Sequence, residues 1–175
     1  MTMVLRPGRS LEDLVAAKNT SCPRCGGQLS RWGQARSRSV RGPDGEHEIR
    51  PRRVRCTSCR VTQVVFPAEV LVRRRDSATV VGHAWRDAAA GKGARRVARR
   101  IGVPMETVRG WLRRLRSLLQ ERYGGPAHGH QERLQRGLAF VTAEARRAGC
   151  RTEHEVWQFV SFRSQGLLLF NTSWP

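Results

Sequence analysis

Carboxylates are scarce in this chain: 14 Asp and Glu stand against 33 Lys and Arg, a formal net charge of +19 over 175 residues. Lysine is nearly missing too, since Lys18 and Lys92 leave the other 31 basic positions to arginine. Aromatic residues supply only 6% of the chain, too few for one large core. The opening MTMVLRPGRS has no apolar stretch of the kind that starts a secretory signal, so a cytoplasmic, nucleoid-associated location is expected. The most apolar run, 156–170, is interrupted by Arg163 and Gln165 and is too short to cross a bilayer, so no membrane partner is expected. Nucleophile–base spacings, phosphate loops and carboxylate pairs are all missing, which argues against an enzyme and a small-molecule substrate. His83 lies among apolar helical residues, and His128 and His130 fall in a Gly-rich stretch, so none reads as catalytic.

What the chain has in excess is positive charge, and that implies a polyanionic partner. Residues 1–60 carry 13 basic and 5 acidic side chains, 61–125 carry 14 and 5, and 126–175 carry 6 and 4. The polyanion should therefore meet the first two thirds. The preference for arginine over lysine reads as codon bias, but the charge acts whatever its origin.

Five cysteines without an export signal point to a reducing compartment and to metal rather than disulfides. Cys22-Pro-Arg-Cys25 and Cys56-Thr-Ser-Cys59 are two CxxC knuckles separated by 30 residues. A two-residue gap lets both sulfurs of a knuckle reach one ion, and two knuckles make the closed thiolate set of a single structural Zn2+. A disulfide pair or redox dithiol is the competing reading. Between the knuckles, 29–40 and 48–55 are expected to pair as a ribbon turning at Gly42-Pro43-Asp44-Gly45. Arg50, Arg52, Arg53 and Arg55, with Arg60, cluster on and beside its last strand, with Arg53 and Arg55 on one face by alternation. They read as phosphate contacts, against the alternative of a solvated edge that discourages pairing. Cys150 reads as an ordinary buried thiol.

Residues 94–113 carry the most informative pattern. Ala98 is small where two helices would cross, Gly102 sits at the turn, and Val97, Ile101, Val108 and Trp111 give the facing apolar sides. This is the rhythm of a helix-turn-helix that reads double-stranded DNA, with helices at about 94–101 and 105–120. Met105, Glu106, Thr107, Arg109, Arg113 and Arg114 would face the DNA, with Arg109 on a guanine, Glu106 on a cytosine amine and Thr107 on a thymine methyl or phosphate. Arg95, Arg96 and Arg99, with Arg100, would support them from the first helix. The plainer reading is a helical hairpin that only packs; Trp85 and Trp111 read as core in either case.

Ser10 and Asp13 predict a capping box for a short helix at 10–18, Ser77 predicts the cap of a helix to about Ala90, and Thr152 with Glu155 predicts another box. Beyond the Gly-rich linker, Leu134, Leu138, Val141, Ala145 and Ala148 form an apolar helical seam. That seam would either dimerise the protein or fold back onto the helix-turn-helix, and 167–170 reads as a strand or docked tail.

The segments CPRCGG with Leu29 and Trp32-Gly33, RPRRVRCTSCR, RRRDSATVVG and GARRVARRIGVPMETVRGWLRRLR resemble small actinobacterial helix-turn-helix proteins of unassigned function. The resemblance runs from about residue 20 to 120 and implies DNA binding and zinc; Trp157 and Gly166-Leu167-Leu168 resemble that family's tail. The order of ribbon and helix-turn-helix is also similar to the N-terminal DNA-binding region of insertion-sequence transposases. The four glutamates after residue 125 cannot furnish the catalytic domain of those enzymes.

The expected fold is mainly α with a small β zinc ribbon. Its parts are a short N-terminal helix (1–20), a four-cysteine zinc ribbon (21–72), a helix-turn-helix (76–123), a linker (124–130) and a C-terminal helical region (131–175). The expected function is a zinc-containing DNA-binding regulator of bacterial transcription, with a homodimer through 131–175. The alternative is a targeting or accessory protein of transposition or recombination.

Overall fold

In the computed structural model, which describes residues 2–16, 21–123 and 129–166, the chain passes from a β-rich part into a helical one. Six strands are present among the described residues: β1 (Thr2–Val4), β2 (Leu29–Gln34), β3 (Arg38–Gly42), β4 (Gly45–Ile49), β5 (Arg52–Cys56) and β6 (Thr62–Phe66). Six helices accompany them: α1 (Leu11–Ala16), α2 (Ala78–Ala89), α3 (Ala94–Ile101), α4 (Met105–Tyr123), α5 (His130–Arg147) and α6 (Glu153–Arg163). The fold is therefore mixed α/β rather than mainly α.

Two strands outside the expected ribbon account for that correction. β6 adds antiparallel to β5, and β1 then pairs parallel with β6, giving a sheet in the order β1-β6-β5-β2. Residues 1–20 thus contribute a strand as well as a helix. Three residues of strand carry too little pattern to be seen locally; the bare edge of β6 selects them. The α1 capping box is as expected, with Ser10 N–H donating to Asp13 Oδ2 (2.8 Å) and Asp13 N–H to Ser10 Oγ (3.0 Å).

The single ribbon expected between the knuckles is instead two pairings. β2 pairs with β5 from Leu29↔Cys56 to Gln34↔Arg52, while β3 and β4 form a separate hairpin closed at Gly42↔Gly45. Pro51 has no N–H to carry the first ladder onward. Its carbonyl accepts from Ala35 N–H at 2.7 Å, and there the chain leaves the sheet. The hairpin docks where α2 begins: Arg41 N–H donates to the Arg75 carbonyl (2.7 Å) and Ser77 N–H to the Arg41 carbonyl (2.9 Å). Val40 is fully buried there with Phe66 and Val70, and Arg41 meets Asp76 at 3.1 Å. Burial pushes the Asp76 carboxyl up, against the pull of Arg41, Arg75 and Arg74.

α2 is the centre of the helical part. Ser77 Oγ accepts from Val80 N–H at its start, and ten of its twelve residues are buried. A helix buried over most of its surface must be covered on several sides, and α3, α4, α5 and α6 all pack on it. Trp85 and Trp157 meet over it with ring centroids 5.9 Å apart. Trp85 Nε1 donates to the Leu134 carbonyl at 3.0 Å.

The α5 seam lies inside this core: Leu134, Val141 and Ala145 are buried and Leu138 is partly covered. The α3–α4 pair and the C-terminal helices therefore share one core, which runs from Leu71 to Val160. α6 opens with the expected box, Glu155 N–H donating to Thr152 Oγ1 (3.2 Å) and Thr152 N–H to Glu155 Oε2 (2.8 Å). The residues of the expected linker at 124–128, the end of the first helix at 17–18 and the tail at 167–170 lie outside the described residues. No described helix is long and apolar enough to cross a membrane.

Two glycines in helices make opposite demands. A Cβ on Gly82 would stand 2.1 Å from the Trp157 ring, whereas one on Gly110 would meet only the tip of Arg114 at 3.3 Å. Gly82→Ala should lower stability by about 3 kcal/mol or more through overpacking. Gly110→Ala should raise it by up to about 1 kcal/mol through helix propensity. Urea unfolding midpoints of the two variants check the opposite signs.

Candidate metal centre and basic surface

The two CxxC knuckles are built alike. In the first, Gly26 N–H donates to the Cys22 carbonyl (2.8 Å) and Cys22 N–H to the Gly27 carbonyl (2.8 Å); in the second, Arg60 N–H donates to the Cys56 carbonyl (3.1 Å) and Cys56 N–H to the Val61 carbonyl (3.0 Å). Gly26 (φ +73°) and Arg60 (φ +62°) occupy the same left-handed position. Glycine does so freely, while an arginine pays roughly 1–2 kcal/mol. Gly27 is needed for a different reason: a Cβ there would lie 2.5 Å from Ser58 Oγ and 3.0 Å from Cys56 Sγ.

The knuckles bring Cys22, Cys25, Cys56 and Cys59 together with all four sulfurs within 4.8 Å of one another. Cys22 Sγ lies 3.7 Å from Cys59 Sγ, and Cys25 Sγ lies 3.5 Å from Cys56 Sγ. An ion held tetrahedrally by sulfurs at about 2.3 Å spaces them about 3.8 Å apart. The four could hold a metal ion.

The electrostatics fit a cation. Backbone N–H groups of Cys59 and Ser58 aim at the Cys56 sulfur and pull its thiol down to about 6. The N–H of Arg24 leads the same effect at Cys22. Val61 N–H favours the Cys59 thiolate, yet burial and the three neighbouring sulfurs push Cys59 up to about 11. The site can ionise in part unaided, and further thiolates then repel each other until a cation neutralises them.

Sequence reasoning missed one member of the site. Gln63 is 1% exposed on β6, and its Nε2 donates to Cys22 Sγ at 3.8 Å. The signal was a lone polar residue at an inward position of the apolar strand TQVVF.

The helical pair is as expected in outline. α3 and α4 are joined by Gly102-Val103-Pro104, with Gly102 in the left-handed region at φ +68°. Val97, Ala98, Val108, Trp111 and Leu115 are buried between these helices and α2. Arg95, Arg96, Arg99 and Arg113 are exposed and form no ion pair among the described residues. Arg95, Arg99, Gly102 and Met105 rim one shallow depression at the turn, and Met105 also packs against the core. Thr107 is half-buried.

Arg109 is exposed but not free. Its Nη1 lies 2.7 Å from Glu106 Oε1, so the two expected base contacts pair with each other. Arg114 turns back onto α4, Nη1 donating to the Gly110 carbonyl at 3.2 Å. Arg100 reaches the buried Asp87 (2.8 Å), which also holds Lys92 (2.9 Å) and so ties α3 to the end of α2.

On the ribbon, Val54 and Cys56 point inward and Arg53 and Arg55 lie on the opposite face. Arg50, Arg52 and Arg53 are exposed, while Arg55 is half-buried against the Trp32 ring. Arg53 pairs across the ladder with Val64, whose side chain packs with Val40, Phe66 and Val70. The arginine face of the ribbon is therefore the face that continues into the junction with α2.

A family model described as a domain of unknown function, DUF6431, matches residues 22–111, more than half of the chain. This chain belongs to the DUF6431 family. The matched span opens on the first cysteine of the quartet and closes on Trp111, the core tryptophan of α4. The DUF6431 segment thus holds the quartet, the hairpin, α2 and the turn between α3 and α4, while α5 and α6 lie beyond it. No curated protein and no solved structure matches the chain.

Gln63→Leu keeps the volume and removes the buried donor to Cys22. Metal affinity should fall by about 10- to 100-fold, as for other outer-shell partners of metal ligands. Competition with a chromogenic chelator measures it, and an unchanged affinity would show that Gln63 only fills space.

Proposed function

We propose that the DUF6431 chain is a zinc-containing DNA-binding protein, in type a bacterial transcriptional regulator. It reads double-stranded DNA with α4 and holds phosphates with arginines of α3 and β5. The observation that carries this reading is the two-sidedness of the helical pair. Its inner side is wholly apolar, and its open side carries Arg95, Arg96, Arg99, Arg109 and Arg113. A hairpin that only packs gains nothing from five exposed arginines in a chain already at +19. Their repulsion is relieved when a polyanion displaces its own counterions to meet them.

The Glu106–Arg109 pair fits a reading role. Glu106 keeps Arg109 extended off the exposed side of α4 and resists indiscriminate phosphate binding, because a carboxylate near phosphate is repulsive. A guanine offers Arg109 two acceptors in exchange. We assign structural zinc to the quartet, since four thiolates leave no open position for chemistry. The role of the ion is to hold β2 and β5 together so that Arg53 and Arg55 keep their place on one face of the ribbon.

Elemental analysis of purified protein should find about one zinc per chain, and a chelator should unravel the ribbon. Iron in its place, or disulfides in protein kept reduced, would refute the metal assignment.

Duplex affinity should fall steeply with salt. Selection from random duplexes followed by anisotropy titration separates the two kinds of arginine. Arg109→Ala should cost about 1–3 kcal/mol on the selected site and little on unrelated DNA. Arg53→Ala should weaken both and reduce the salt slope by about one. Identical behaviour of the two variants, or no salt-dependent duplex binding at all, overturns the reading.

A further inference from the structure

Trp32 is the one large apolar side chain that stands exposed among the described residues, at 53% of its full accessibility. It sits where the β2–β5 register skips from Arg31 to Gly33, so it bulges out of the ladder. The Arg55 guanidinium carbon lies 4.2 Å from its ring centroid. Arg55 is itself fixed: Nε donates to the Arg60 carbonyl (3.2 Å), and its own carbonyl accepts from Ser30 Oγ (3.2 Å). Arg53 is exposed on the same face, opposite Gly33, where even an added Cβ would meet nothing within 4 Å. Reading duplex DNA through α4 uses the β5 arginines only as phosphate contacts and gives Trp32 no part.

A guanidinium over one face of an indole leaves the other face for a second planar partner. No second large apolar side chain stands exposed among the described residues to make the place a protein hot spot, which would call for a packed, water-excluding surround. A nucleobase needs only a ring to stack on and cations for its flanking phosphates. Base pairing and stacking hide that base face in a duplex, so the partner must present it unpaired.

We infer that the outer face of the β2–β5 ribbon is a stacking site for an unpaired nucleobase of a single-stranded nucleic acid, with Trp32 backed by Arg55 as the platform and Arg53 as the neighbouring phosphate contact. This site stands apart from α4 and survives if the duplex reading fails.

The test uses the full-length metal-loaded protein and four fluorescein-labelled probes at one salt concentration: oligothymidine, oligouridine, an abasic strand of equal length, and a duplex. Trp32→Ala should weaken binding to the base-bearing strands by about tenfold and leave the abasic strand and the duplex unchanged. Trp32→Phe should retain most of the affinity. Oligothymidine should quench tryptophan emission in the wild type and much less in Trp32→Ala. Tighter binding of one base-bearing strand names DNA or RNA as the source. The inference is overturned if Trp32→Ala binds those strands like the wild type, if it loses the abasic strand or duplex to the same degree, or if the wild type does not prefer bases to abasic sites.

Discussion

The close crossing of α6 over α2 at Gly82 is the constraint on which the helical part depends. The Trp157 ring occupies the volume that any side chain at 82 would need, and Trp85 and Leu134 complete the contact. Dispersion contacts fall off steeply with separation, so a displacement of even one methyl group there would be felt throughout the core. With α2 held from that side, its other faces receive α3, α4 and α5. A second close crossing, Gly137 of α5 against Leu119 and Trp85, locks α4 to the same framework. α4 is thus held by α2 and α3 within the matched family segment and by α5 beyond it.

The β-rich part is stabilised differently. Its own cluster of buried apolar residues contains Leu11, Leu29, Val54 and Val65 together with Cys22 and Cys56 of the quartet. A unit with so little apolar surface would gain more from a metal held by the four cysteines than from further packing. The two knuckles reach the same backbone geometry by different residues, Gly26 and Arg60, and the second accepts strain that the first avoids. That strain places the Arg60 carbonyl where Arg55 donates to it, and Arg55 in turn meets Trp32. A cost in the metal knuckle is thereby linked to the order of the outer face.

The charge of the chain is not spread evenly in its effects. Arg41, Arg86 and Arg100 are engaged with Asp76, Glu153 and Asp87, and these pairs hold elements together. Asp87 is the clearest case, a buried carboxylate whose Oδ1 meets both Lys92, just before α3, and Arg100, near the end of α3. Arg53, Arg95, Arg96, Arg99 and Arg113 are exposed and form no ion pair among the described residues. In the proposed function they are the ones that meet the polyanion.

Local chemistry was legible in the sequence. The quartet could be read from spacing because a two-residue gap is a covalent constraint, and the three caps from residue type because each is made within four residues. The turn at Gly102 and the extents of α3 and α4 followed from backbone conformation and helical period. Long-range partnership was not legible. Nothing in Thr2–Val4 says that it will pair with β6, and nothing in 29–55 says that Pro51 will end one ladder and send the hairpin to α2. Gln63, Asp87 and Gly82 acquire their roles from Cys22, Arg100 and Trp157, which lie far from them in the chain. The apolar seam of α5 was visible as a pattern, but a stripe of leucine and valine carries no address. Hydrophobic burial is non-directional, so only the assembled core decided that α2 and α4 would cover it.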